Sequence, residues 1–77
     1  MHLVTESELE GACRSWDGQT VFRLANGEIW RQCSFRLRKL YLSCPAVRVW
    51  RVGRYCWLEL EGAGEILPVK RVENAFF

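Results

Sequence analysis

Residues 16–32 read WDGQTVFRLANGEIWRQ, and this stretch decides the fold class. Two tight-turn signals, Asp17-Gly18 and Asn26-Gly27, bracket one run in which apolar and polar residues alternate. Asp, Asn and Gly tolerate the positive φ angles that two-residue hairpin turns need to match the strand twist. The stretch therefore predicts consecutive β-hairpins, with Phe22 and Leu24 on the buried face of the middle strand.

The rest of the chain continues as short alternating runs separated by turn residues. Strands are predicted over residues 8–15, 19–25, 28–39, 46–52, 55–61 and 66–72. The alternation slips once at Lys39-Leu40, which favours a bulge or a change of sheet face, with a short helix as the competing interpretation. Regularly spaced turns without a long helical pattern predict an all-β fold of five or six antiparallel strands. At this length a closed small barrel is favoured, because closure leaves no exposed strand edge.

The chain is short for its apolar content. Its 77 residues allow one domain, residues 1–77, and a chain of this size buries only about 60% of its unfolded surface. Yet 49% of the residues are hydrophobic, and four are tryptophans. We expect Trp30 in the core and part of the remaining apolar surface in a homo-oligomeric contact.

Two pairs of aromatic residues are the candidates for that contact. Trp50 and Trp57 lie on strands joined by the Gly53-Arg54 turn and are predicted to pair outward as an interface anchor. Burial of both rings inside the barrel is the alternative. Phe76 and Phe77 end the chain, where they dock on the barrel or a partner, or belong to a disordered tail.

The N-terminal residues and the cysteines indicate the compartment. Residues 1–10 carry three glutamates and no long apolar run, so neither a secretory signal nor a membrane span is predicted, and we expect a cytoplasmic protein. The four cysteines match no C-x-x-C spacing, and His2 is the sole histidine, so no metal site is expected. In a reducing compartment, free thiols are favoured over two disulfides.

The pattern W-x-G-x-T-x-F-x-L-x-N-G-x-x-W, carried by residues 16–30, resembles that of small uncharacterised bacterial proteins with an SH3-like barrel. The similarity continues through Gln32 and Pro45 to Val72. The resemblance implies an SH3-like barrel and no known reaction. The chain departs from the family between Gln32 and Pro45. Members of the family often have tyrosines there, whereas this chain has basic residues beside the single Tyr41. Proteins of this kind also resemble products of mobile gene cassettes.

A basic segment is the candidate nucleic-acid surface. No acidic residue lies between Trp30 and Leu58, and aromatic residues are interleaved with the cations, as on sheets that follow a phosphate backbone and stack bases. The candidate residues are Arg36, Arg38, Lys39, Arg48, Arg51 and Arg54. The alternative is that these cations are simply the solvated side of alternating strands. For the acidic residues near both ends, three interpretations stay open. They face the basic segment of a neighbouring subunit, they are solvated, or they pair across strands within the chain, for instance Arg48 or Arg51 opposite Glu59 or Glu61.

Catalytic groups are scarce. The single histidine is near the N-terminus, the serines have no evident base, and no glycine-rich phosphate loop is present. An enzymatic SH3-like barrel, the plasmid-type dihydrofolate reductase, has a Val-Gln-Ile-Tyr-Pro strand, of which only Ile66 and Pro68 are matched here. We therefore expect no cofactor and a non-enzymatic, self-associating interaction module, with nucleic-acid binding as the alternative.

Overall fold

The computed structural model describes residues 1–72, and every regular element within them is a β-strand. Eight strands follow one another: β1 (His2–Glu8), β2 (Ala12–Trp16), β3 (Val21–Arg23), β4 (Ile29–Gln32), β5 (Arg38–Ser43), β6 (Ala46–Val52), β7 (Tyr55–Leu60) and β8 (Ile66–Arg71). The predicted all-β class is confirmed. Within residues 1–72, no helix could cross a membrane.

Six of the strands form one antiparallel sheet in the order β1-β6-β7-β8-β4-β3, and β2 pairs with β5 in a separate ribbon. The two edges of the sheet meet at one corner, where Leu9 and Leu24 form a β-bridge. The Glu10 amide donates to the Arg23 carbonyl, and the Ala25 amide donates to the Glu8 carbonyl, both at 2.8 Å. These contacts satisfy backbone groups that an open edge would leave unpaired.

The core lies between the inner face of the sheet and the ribbon. Strands β6, β7 and β8 supply alternate residues to it, because successive strand residues point to opposite faces. Phe22, Leu24 and Trp30 are each at most 2% exposed, so their predicted burial is confirmed. The ribbon covers them with Cys13 and Trp16, and partly buried Leu40 and Leu42 pack beside this cluster.

Only one of the two hairpins predicted from residues 16–32 is present. Strands β3 and β4 pair on either side of Asn26-Gly27 as expected. The predicted two-residue turn is wrong, because the Leu24 amide donates to the Glu28 carbonyl at 2.9 Å around a three-residue loop in which only Gly27 has a positive φ. The hairpin predicted at Asp17-Gly18 is wrong, because β2 pairs with β5 and not with β3. The Asp17 carboxylate accepts the Gln19 amide at 3.0 Å and the Thr20 hydroxyl at 3.2 Å. This local Asx-turn carries the chain from the ribbon to the sheet.

The strand limits differ from the sequence predictions in two places. Residues 2–8 form a strand that the sequence analysis missed, and the predicted strand over residues 8–15 is interrupted between β1 and β2. The predicted strand over residues 28–39 is divided into β4 and β5 by an intervening loop. The expected bulge is confirmed, because Leu40 and Tyr41 on β5 lie opposite the single residue Arg14. The helical interpretation of this segment is wrong.

The Gln32 side chain connects the loop between β4 and β5 to the turn after β2 by hydrogen bonds. Its side chain is 2% exposed, and its Oε1 accepts the Gly18 amide at 2.9 Å. Its Nε2 donates to the Ser34 hydroxyl and the Arg36 carbonyl, both at 3.1 Å. A buried amide is stable here because both of its ends find hydrogen-bond partners.

The turn between β5 and β6 holds an unusual backbone conformation. Cys44 has a φ of 43°, the only positive φ outside glycine among residues 1–72. Its Cβ makes this left-handed region unfavourable, whereas glycine adopts it readily. Pro45 follows, and its carbonyl accepts the Leu9 amide at 2.9 Å. The turn is therefore held in place from β1 at some conformational cost.

Candidate interaction surfaces

A row of apolar side chains crosses the outer face of the sheet. Trp50 on β6 lies directly opposite Trp57 on β7, with Leu3 of β1 and Pro68 of β8 completing the row on either side. We call these four residues the tryptophan row. The two tryptophans line a shallow groove of about 500 Å³. The residues beside the row that widen this apolar surface are Met1, Val52 and Ile66.

A charged row lies next to the tryptophan row on the same face. It consists of Glu6, Arg48 and Glu59, which are cross-strand neighbours on β1, β6 and β7. Arg48 Nε lies 2.8 Å from Glu6 Oε2, and Arg48 Nη1 lies 3.9 Å from Glu59 Oε1. The same Glu59 oxygen accepts the Trp50 indole N–H at 3.0 Å. This hydrogen bond connects the two rows and limits the orientations of the Trp50 ring.

The structure therefore brings the two candidate interface tryptophans together. Both are half-buried on the outward-facing side of their strands, and the core beneath them is filled by Val49 and Leu58. Directly opposed residues on antiparallel strands have Cβ atoms about 5 Å apart, so the two rings form one surface. The other two candidates, Phe76 and Phe77, lie outside the described residues.

The six candidate nucleic-acid residues do not form one face. Arg36 and Arg38 both approach Glu65, with shortest N–O distances of 3.6 and 3.3 Å, and Arg38 also donates to the Ala63 carbonyl at 2.6 Å. Arg48 belongs to the charged row. These three arginines are accordingly engaged by carboxylates of the same chain, which weakens their attraction for an outside anion.

The other three candidates lie elsewhere. Lys39 is exposed on the ribbon, opposite Ser15. Arg51 and Arg54 lie at the end of the sheet where β6 turns into β7. Lys70 and Arg71, at the end of β8, line the same groove of about 400 Å³ as that pair.

Sequence reasoning missed Lys70 and Arg71, which follow a glutamate-containing segment and fall outside the acid-free window. The signal that finds them is strand register. Cys56 lies opposite both Arg51 on β6 and Val69 on β8, which puts the end of β8 level with the β6–β7 turn.

A second concavity of about 690 Å³ adjoins this groove and shares Lys70 with it. It adds Arg31, which lies opposite Lys70 across β4 and β8. Tyr55 beside the first groove is 65% exposed, and Phe35 beside the second is 97% exposed. We call the combined surface the basic track. Its cations are Arg31, Arg51, Arg54, Lys70 and Arg71.

The charges of the molecule are segregated by strand end. No carboxylate within residues 1–72 lies within 4.0 Å of a basic-track cation. The opposite end of the sheet, around the β7–β8 turn, carries Glu61 and Glu65. A net charge of only +2 therefore conceals a local concentration of positive charge in the basic track, whereas Glu65 at the other end is paired with Arg36 and Arg38.

The four cysteines are free thiols in different surroundings. Cys13 is buried, Cys56 is partly buried, and Cys33 and Cys44 are exposed. Burial raises the pKa of the Cys13 thiol, and a backbone hydrogen bond at Ser15 opposes that shift. Within residues 1–72, no three His, Cys, Asp or Glu side chains are grouped closely enough to hold a metal ion.

No protein-family model matches this sequence, and neither a curated protein nor a solved structure is significantly similar to it. The resemblance to small bacterial SH3-like barrels stays a prediction.

Proposed function

We propose that this protein is a cytoplasmic, non-enzymatic interaction module, built as an SH3-like barrel, that self-associates through the tryptophan row. The barrel is supported by the corner at which Leu9 and Leu24 join the two edges of the sheet. Self-association is supported by one observation above the others. Trp50 and Trp57 are paired on the outer face of the sheet, where they have no role in the core.

A second copy fits this face because its charges are self-complementary. A two-fold axis parallel to β6 and β7, midway between them, stacks Trp50 on Trp57 of the second copy. The same rotation places Arg48 over Glu59 of the second copy, and Glu59 over its Arg48. Isologous contacts of this kind are the commonest in soluble homodimers. Two sheets packed in this way lie about 10 Å apart, with interdigitated side chains.

The expected dimer is weak. Four adjacent strands at about 4.8 Å spacing and about 20 Å long give a face on the order of 400 Å². A standard stable interface buries about 800 Å² on each partner. Tryptophan is strongly enriched at interface hot spots, so the two rings supply most of the affinity. We expect a dissociation constant in the micromolar range.

Sedimentation velocity over a concentration series, in parallel with light scattering, tests the association. The wild-type chain is expected to shift from monomer to dimer as concentration rises. Trp57→Ser should remain monomeric at every concentration. Tyr41→Ser is the matched control, because Tyr41 is an exposed aromatic residue on the ribbon, away from the tryptophan row.

A charge exchange tests the two-fold arrangement itself. Arg48→Glu alone places like charges opposite one another in the dimer, and so does Glu59→Arg alone. An equimolar mixture of the two variants restores opposite charges at every such position. We expect each variant to be monomeric and the mixture to form a heterodimer. Wild-type protein that stays monomeric at high micromolar concentration would contradict the proposal, and a mixture that fails to associate would contradict the geometry.

A further inference from the structure

We propose that the basic track binds single-stranded nucleic acid, with its cations on the phosphates and its exposed aromatic rings stacked on bases. The proposal concerns a surface separate from the tryptophan row and shares no residue with it. Its outcome therefore does not depend on dimerisation.

The first argument is electrostatic. Five cations line two concavities that share Lys70, and their lining contains no carboxylate from residues 1–72. Three other arginines are paired with carboxylates: Arg36 and Arg38 with Glu65, and Arg48 with Glu6. Unpaired cations held close together repel one another, and an anionic chain with regularly spaced charges relieves that repulsion.

The second argument is the position of the aromatic rings. Tyr55 lies among the cations of the first concavity and Phe35 lies in the second, and both rings are mostly exposed. Every nucleobase has a face that stacks on such rings, whereas an acidic peptide requires no aromatic platform. The combination of cations and aromatic platforms favours a single strand over other polyanions.

The third argument is the shape and width of the track. The groove beside Tyr55 holds about 400 Å³, and the adjoining concavity about 690 Å³. These volumes suit small organic groups such as unstacked bases. Arg51 on β6 and Arg71 on β8 are separated by β7, so their backbones lie about 10 Å apart. The site is therefore built for a flexible single strand with its bases exposed.

Fluorescence anisotropy with a labelled twelve-nucleotide oligothymidylate tests the proposal in the full chain. A plot of the logarithm of the association constant against the logarithm of the salt concentration should be linear. Its negative slope should gain up to about 0.7 in magnitude for each phosphate contact. The double variant Arg54→Gln, Lys70→Gln should reduce that slope by about 1.4, since it removes two contacts. The matched control Arg14→Gln, Lys39→Gln changes the net charge equally on the ribbon, and should leave the slope unchanged.

Substitution of the aromatic ring separates base stacking from simple charge attraction. Tyr55→Ser should weaken oligothymidylate binding about fivefold or more, the effect of one lost stacking contact. Tyr41→Ser removes a ring of similar exposure, 62% against 65%, and should have no effect. A polyglutamate peptide and phosphatidylserine vesicles serve as competing anions and should bind more weakly, without dependence on Tyr55.

Three results would overturn the proposal. They are equal loss of binding in the track and ribbon variants, equal or tighter binding of polyglutamate or vesicles, and no oligothymidylate binding at low salt. Circular dichroism of each variant is the check that the fold is retained, which we expect because all of the substituted side chains are exposed.

Discussion

Replacement of Gln32 by leucine tests whether one buried side chain holds two loops together. Gln32→Leu keeps a similar volume in a site that is 2% exposed, but removes hydrogen bonds to the Gly18 amide, the Ser34 hydroxyl and the Arg36 carbonyl. Each intramolecular hydrogen bond contributes about 1 kcal/mol net, so the three together contribute about 3 kcal/mol. Burial of an apolar group in place of an amide stabilises the folded state by about 1 kcal/mol. We expect the free energy of unfolding to fall by about 2 kcal/mol.

The assay is urea unfolding monitored by tryptophan fluorescence, at one fixed protein concentration because association would shift the midpoint. Ser34→Ala is the graded control, since it removes only one of the three bonds and should cost about 0.5–1 kcal/mol. The reasoning would be refuted by a Gln32→Leu protein whose free energy of unfolding lies within about 0.5 kcal/mol of the wild-type value. The three hydrogen bonds would then contribute far less to stability than about 1 kcal/mol each.

Four further predictions concern turns and thiols. Gly18→Ala should lower stability by about 2 kcal/mol or more in urea unfolding, because Gly18 has a φ of 98° and a Cβ there would lie 2.9 Å from the Ser34 carbonyl oxygen. Cys44→Gly should raise stability by about 0.5–1 kcal/mol in the same assay, since its φ of 43° favours glycine; a loss would contradict this. Titration with a thiol reagent should modify Cys33 and Cys44 quickly and Cys13 only on unfolding. Because burial raises the pKa of Cys13 in the folded state, stability should decline as pH rises above the ordinary value of 9.0, where only the unfolded thiol ionises readily. Cys13→Ala should remove that decline.

Local patterns in the sequence predicted what local physics controls. The Asn26-Gly27 hairpin and the alternation of β6 and β7 followed from turn chemistry and from the two-residue period of strands. Asp17-Gly18 has the same composition as a hairpin turn, but the Asp17 carboxylate accepts the Gln19 amide in an Asx-turn instead, and the Thr20 hydroxyl adds a second bond to that carboxylate. Which strand β2 pairs with is a long-range choice, and no pattern within residues 12–16 encodes it.

The candidate surfaces also differ in whether they depend on local or on long-range features of the chain. The outward pairing of Trp50 and Trp57 was predictable, because both residues lie on one hairpin with a defined register. The basic track was not, since it joins β4, the β6–β7 turn and β8, which are distant along the chain. Sequence proximity instead grouped Arg36 and Arg38 with Arg51, although the fold places the first two beside Glu65.

The order of strands in the sheet has a consequence for synthesis on the ribosome. β1 leaves the ribosome first, yet its partner β6 is made about forty residues later, and β6 is also flanked by β7. Until β6 has been synthesised, β1 has no strand with which to pair. If β1 detaches from a completed chain, the unpaired edge of β6 can pair with β1 of another molecule. Exchange of β1 between chains is thus the misassembly to which this topology is most exposed.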